Sequence, residues 1–129
     1  MTTIAERMSR QLLATAPDAT LGEAAEKMAA RNVGSIVVLD GERLVGILTE
    51  RDLLRAFARA IPRETAVREC MTPNPETCDG SATLEHAAVL MLHGGFRHLP
   101  IVEGERVVGM LSLRDLVATQ VADHAPRGV

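Results

Sequence analysis

The 129-residue chain holds 47% hydrophobic and 24% charged side chains, enough to bury a core without metal or disulfide support. Its formal charge of -3 comes from 14 basic residues scattered among 17 acidic ones, so there is no basic stripe for nucleic acid or an anionic membrane surface. Apolar runs such as "SIVVL" at 35–39 fall far short of the ~20 residues that span a bilayer, and residues 1–10 lack a secretory signal's basic start and apolar stretch. These features predict a cytoplasmic protein.

In chain order, a leader "IAERMS" at 4–9 precedes a helix. Thr20 is its expected N-cap, Glu23 would complete a capping box, and Leu21, Ala24, Ala25 and Met28 form one apolar face at helical spacing. "SIVVL" then leads through "DGER", with Gly41 in the turn, into "LVGILT", which reads as a hairpin. A second helix starts after Thr49. The stretch 59–82, with four Pro or Gly residues, is the connector. Everything before it then recurs at an offset of 63 residues: "VRECMT" at 67–72, "TLEHAAVLM" at 83–91, "LPIV" turning through "EGER" into "VVGMLS", and a helix after Ser112. Residues 121–129 read as a loose tail.

This order predicts an α/β (α+β) fold of two β-α-β-β-α repeats, residues 1–62 and 63–120. Neither repeat covers its own sheet, so they are expected to pack sheet to sheet about a pseudo-two-fold axis.

The most similar phrases are "GILTERD" at 46–52 and "GMLSLRD" at 109–115. Thr49 and Asp52, like Ser112 and Asp115, stand three apart where a strand becomes a helix. One reading is a reciprocal cap, the hydroxyl and carboxylate satisfying early helical N–H groups. The other adds a ligand: glycine allows close backbone approach, the helix start offers N–H donors, the hydroxyls suit phosphate or ribose oxygens, and Asp52 and Asp115 can accept from ribose hydroxyls. Arg97 and His98 replace Gly34 and Ser35 in the second repeat. They are either a solvated strand end or a forked and a titratable phosphate donor. Arg51 and Arg114 could reach phosphate or pair with a nearby carboxylate.

No catalytic or metal constellation emerges. Cys70 and Cys78 lack C-x-x-C spacing, and His86, His93 and His124 show no zinc-binding spacing. With Phe57 and Phe96 as the only aromatics, a ring ligand would be held by aliphatic side chains and backbone groups.

The blocks "VGSIVVLDGERLVGILTERDL" and "FRHLPIVEGERVVGMLSLRDL", with a G-h-x-[S/T]-x-x-D ending twice in register, resemble the cystathionine β-synthase (CBS) domain family, whose tandem pairs are Bateman modules. The resemblance runs from about Ile4 to Gln120. It implies a non-catalytic regulatory module that binds an adenosine-containing ligand in the cleft between repeats: AMP, ADP or ATP, ahead of NAD or S-adenosylmethionine. It also implies that each cleft borrows the opposite leader. Thr72, Pro75 and Glu76 would close the cleft of Thr49 and Asp52; Ser9, Leu12 and Leu13 would close that of Ser112 and Asp115. A homodimer signalling to a separate effector protein is the implied assembly, and the alternative is a ligand-free dimeric scaffold of the same fold.

Overall fold

In the computed structural model the described residues are 2–124, without the side chains of 123 and 124. The chain divides into two compact units that do not follow the sequence repeats. One is Leu12–Pro75; the other joins the first eleven residues to the chain from Glu76 onward.

In the unit Leu12–Pro75, β1 (Ala14–Thr15) is followed by α1 (Leu21–Arg31), β2 (Ser35–Asp40), β3 (Arg43–Thr49) and α2 (Glu50–Ala58). A 3-10 turn over Val67–Glu69 then leads into β4 (Thr72–Pro73). The sheet order is β1-β2-β3-β4, with β1 parallel to β2 and the other neighbours antiparallel. Thr20 caps α1, its hydroxyl accepting from the Glu23 N–H at 3.1 Å. Only this half of the expected capping box forms, the Glu23 side chain staying exposed. Asn32 ends the helix in the left-handed region at φ 52°. Leu21, Ala24 and Met28 bury the predicted face against Ile36, Val38, Leu48 and Val67.

The second unit repeats this plan. A 3-10 turn over Ile4–Glu6 is joined by β5 (Cys78–Asp79), α3 (Leu84–Gly94), β6 (His98–Glu103), β7 (Arg106–Ser112) and α4 (Leu113–His124). The sheet order is β5-β6-β7, and a bridge from Ser9 to Met110 stands where β4 stands in the other unit. Leu84, Ala87 and Met91 pack with Ile4, Leu99, Ile101 and Leu111. Both hairpins carry a register shift at matched places, after Val38 and after Ile101, and both turn on a glycine of positive φ, Gly41 at 65° and Gly104 at 64°.

The units are thus defined by an exchange of leaders. Ile4 is fully buried in the core of the second repeat and Val67 in that of the first. The Ile4 N–H donates to the Ala82 carbonyl at 2.9 Å, and the Val67 N–H donates to that of Ala19 at 2.8 Å. Ser9 and Met110 exchange a pair of bonds at 2.9 Å, matching the pairing of Thr72 with Ile47.

This exchange explains the repeated glycine. A Cβ on Gly109 would lie 2.7 Å from the Ser9 carbonyl oxygen and 2.7 Å from Met8 Sδ; one on Gly46 would press on Met71 Sδ and come within 3.1 Å of the Thr72 oxygen. What approaches these glycines is the passing leader, so the glycine in the phrase needs no ligand to account for it. The expected loose tail begins later than 121, since α4 runs to His124. The remainder of the tail, 125–129, lies outside the described residues.

Gly109→Ala is therefore expected to destabilise the protein by about 1–3 kcal/mol, because the carbonyl it meets belongs to a paired backbone. Gly46→Ala should cost less than about 1.5 kcal/mol, because the nearer obstacle is a flexible methionine. Urea unfolding of the two variants checks the order.

Candidate ligand sites at the strand-to-helix junctions

Where β3 becomes α2, Thr49 has an extended backbone and acts as N-cap. Its hydroxyl accepts from the Asp52 N–H at 3.2 Å, and Asp52 Oδ2 accepts from the Thr49 N–H at 2.9 Å and the Thr49 hydroxyl at 3.1 Å. The cap expected from the spacing is therefore present and reciprocal. A further bond comes from the leader: Thr72 Oγ1 donates across the Asp52 carboxylate, 3.2 Å from Oδ1 and 3.3 Å from Oδ2. Asp52 is only 8% exposed, and these hydroxyl and amide donors balance its burial.

The matched junction of β7 and α4 keeps the cap and lacks the latch. The Ser112 N–H donates to Asp115 Oδ2 at 2.8 Å, and the Asp115 N–H donates to Ser112 Oγ at 3.1 Å. Ser9, at the place of Thr72, makes no hydrogen bond to Asp115 among the described residues. Asp115 is half-buried and keeps an oxygen that the leader does not use.

The start of each hairpin strand abuts its junction. Ser35 pairs with Thr49, and Gly34 accepts from the Glu50 N–H at 3.0 Å. His98 pairs with Ser112, and Arg97 accepts from the Leu113 N–H at 2.8 Å. The structure thus brings Arg97 and His98 to the junction of Ser112 and Asp115, with the Arg97 side chain exposed and His98 half-buried. Among the described residues the ion pairs are Arg63–Glu26 at 2.7 Å and Arg68–Glu69 at 4.0 Å, so neither Arg51 nor Arg114 pairs with the carboxylate beside it.

The remaining expected residues divide between the units. Thr72 and Pro75 share the unit of Thr49 and Asp52, whereas Glu76 begins the other. Ser9 shares the unit of Ser112 and Asp115, whereas Leu12 and Leu13 belong to Leu12–Pro75. The Leu13 carbonyl accepts from the Val37 N–H at 3.1 Å, and its side chain packs against that unit's core. Glu50 was not singled out in the sequence, yet its carboxylate lies over Gly34, where a Cβ would meet Oε1 at 2.9 Å. The available signal was its replacement by Leu113 at the matched position.

Cys70 and Cys78 are free thiols, and burial pushes that of Cys78 up. No cluster of three or more His, Cys, Asp or Glu able to hold a metal ion occurs among the described residues, and no helix among them is long and apolar enough to cross a membrane.

Two capped junctions on two matching α/β units, each completed by the other repeat's leader, define a tandem-repeat module. The family described as CBS domain matches the chain twice, over residues 4–59 and 67–121. The chain belongs to the CBS domain family, and it carries two such domains in tandem. It is 34% identical to the CBS domain-containing protein YhcV of Bacillus subtilis, over 97% of this chain and 90% of that protein. Among solved structures it is similar to CBSX2 in complex with AMP (26% identical, TM-score 0.82, 95% of this chain and 98% of that one). It is also similar to the CBS domain pair of MJ0100 in complex with 5′-methylthioadenosine and S-adenosyl-L-methionine (25% identical, TM-score 0.86, 92% and 99%).

The unequal carboxylates make a stability prediction. Asp52→Ala removes a buried capping carboxylate together with its bond from the exposed Thr72 hydroxyl, and should cost about 2 kcal/mol; Asp115→Ala removes the half-buried capping carboxylate and should cost about 1 kcal/mol. Denaturant midpoints at constant m-value measure the difference.

Proposed function

We propose that the protein is a non-catalytic regulatory module that binds adenosine-containing ligands at its two junctions and passes the binding event to a partner protein. The observation that carries this reading is the repeated hydroxyl–carboxylate pair at a helix start, in a fold whose relatives CBSX2 and MJ0100 hold AMP and adenosyl compounds. In it, Asp115 accepts ribose hydroxyls on the oxygen its leader leaves open, and Ser112 and the first N–H groups of α4 face ribose or phosphate oxygens. Arg97 and His98 serve the phosphate end there, and Thr49, Asp52, Thr72 and Pro75 form the corresponding set in the other unit. AMP, ADP and ATP are the leading ligands, ahead of NAD and S-adenosylmethionine.

The latch gives the signal a physical route. A ribose hydroxyl that donates to Asp52 competes with Thr72 Oγ1, which sits on the two-residue strand β4. Releasing that bond loosens the leader where it is held by few backbone bonds.

A second reading, a dimeric scaffold without a ligand, is favoured by the apolar side chains left in solvent. Leu54 (68% exposed) and Phe57 (84%) on α2 and Leu92 (82%) on α3 have no partner within a core, and Val117 and Val121 extend the set along α4. In both readings we assign these faces to a second copy of the chain.

Titration calorimetry with AMP, adenosine and S-adenosylmethionine separates the readings: the regulatory one requires saturable binding, and the scaffold requires none. Asp115→Asn should weaken adenosine binding by about 1–3 kcal/mol with a smaller loss of stability than Asp115→Ala, since the asparagine side-chain oxygen can still accept from the Ser112 N–H. Light scattering should return near twice the 13.9 kDa chain mass, and Phe57→Glu should return the mass of one chain.

A further inference from the structure

The two junctions differ in charge at two matched positions that touch each other. In the unit Leu12–Pro75 the first residue of the hairpin entry is Gly34, and the Glu50 carboxylate occupies the space a side chain there would need, 2.9 Å from the Cβ position. In the other unit the matched pair is Arg97 and Leu113. Each pair is joined by the same backbone bond, Glu50 N–H to Gly34 and Leu113 N–H to Arg97, so the side chains are presented from equivalent backbone positions. One pair carries a single negative charge and the other a single positive charge. Of the other charges at the junctions, Asp52 matches Asp115 and Arg51 matches Arg114, while His98 stands opposite Ser35 and Arg10 on the leader stands opposite Pro73, both adding to the positive side of the junction of Ser112 and Asp115. Arg55, opposite Ala118, has no charged match, but it stands about a turn and a half beyond Glu50 along α2.

We infer that Glu50 is a specificity-determining residue, which makes the junction of Thr49 and Asp52 select adenosyl compounds whose 5′ substituent is neutral or cationic, while Arg97 makes that of Ser112 and Asp115 select phosphorylated ones. The inference rests on the adenosyl-binding reading and divides it between the two units. The physical basis is that both helix starts offer the same N–H donors to an anion, and only in Leu12–Pro75 does a carboxylate stand at the first helical residue. A dianionic 5′-phosphate near Glu50 is repelled, whereas a thioether or sulfonium meets no penalty or an attraction. Glu50 is exposed and its field is screened, so the effect is a selectivity of several-fold that weakens with salt.

The test is site-resolved NMR on the whole 15N-labelled chain. The amides of Thr49 and Asp52 report one junction and those of Ser112 and Asp115 the other, with AMP and 5′-methylthioadenosine as the probes. The Thr49 and Asp52 amides should respond to 5′-methylthioadenosine at lower concentration than to AMP, and the Ser112 and Asp115 amides should show the reverse order. Glu50→Gln should tighten AMP at the first junction by roughly three- to tenfold and leave 5′-methylthioadenosine unchanged; Arg97→Gln should weaken AMP at the second by a similar factor. Both changes should shrink at 0.5 M salt. If both probes bind at the first junction and Glu50→Gln leaves their affinity ratio unchanged, the charge division is overturned while the adenosyl reading stands. If neither probe shifts the Thr49 and Asp52 amides, no selection occurs there and the inference fails; if the Ser112 and Asp115 amides are silent as well, the adenosyl reading fails with it. The spectra themselves show whether each variant is folded.

Discussion

The burial of Ile4 in the core of the second repeat, and of Val67 in that of the first, is the constraint on which the other features depend. Neither repeat closes its own core or its own sheet edge from its own sequence. Each takes its β-branched anchor and a short extended segment from the other repeat's leader, Val67 and Thr72 for the first and Ile4 and Ser9 for the second. Burying one such side chain is worth about 1.5–3 kcal/mol, a large fraction of the stability of a small domain. The glycines of the two phrases follow from the same constraint, since a leader that pairs beside β3 or β7 leaves no room for a side chain there.

Once the leader is in place, the site chemistry is set by which hydroxyl it carries. Thr72 reaches the Asp52 carboxylate; Ser9 does not reach that of Asp115. The two reciprocal backbone-to-side-chain bonds are the same at both junctions, so the helix starts match while the carboxylates differ as acceptors. The capping and ligand-binding readings of the repeated phrase are thus compatible. A cap that uses one carboxylate oxygen fixes the orientation of the other, which is how a rigid element can pre-position an acceptor.

Much of this was legible in the sequence. The offset of 63 located every major element, because caps at Thr20 and Thr83 and turns at Gly41 and Gly104 carry short-range signals. The exchange of leaders is a long-range pairing, which periodicity does not reveal; it came from family resemblance, and the pairing of Thr72 with Ile47 and of Ser9 with Met110 agrees with it. The end of α4 was misplaced because the run after Leu116 has no breaker before Pro126, whereas α2 ends ahead of Ala60, at φ 57°, and Pro62. Glu50 was passed over because an acidic residue at a first helical turn is ordinary; its meaning appears only when Gly34 is seen beneath it. Family resemblance places Leu13 at the cleft of Ser112 and Asp115, and its core packing is a separate matter of local contacts. The unit boundary falls before Leu12 and places it with the other core.

The central claim is that Asp52 and Asp115 combine a helix cap with an acceptor for a ribose. A crystal structure of the protein grown with adenosine tests it most directly. The account predicts ribose hydroxyls within hydrogen-bond distance of Asp115, with the Ser112 cap intact, and a Thr72 hydroxyl turned away from Asp52 wherever that junction is filled. Adenosine bound elsewhere, with both carboxylates engaged only by their caps and by Thr72, would contradict it.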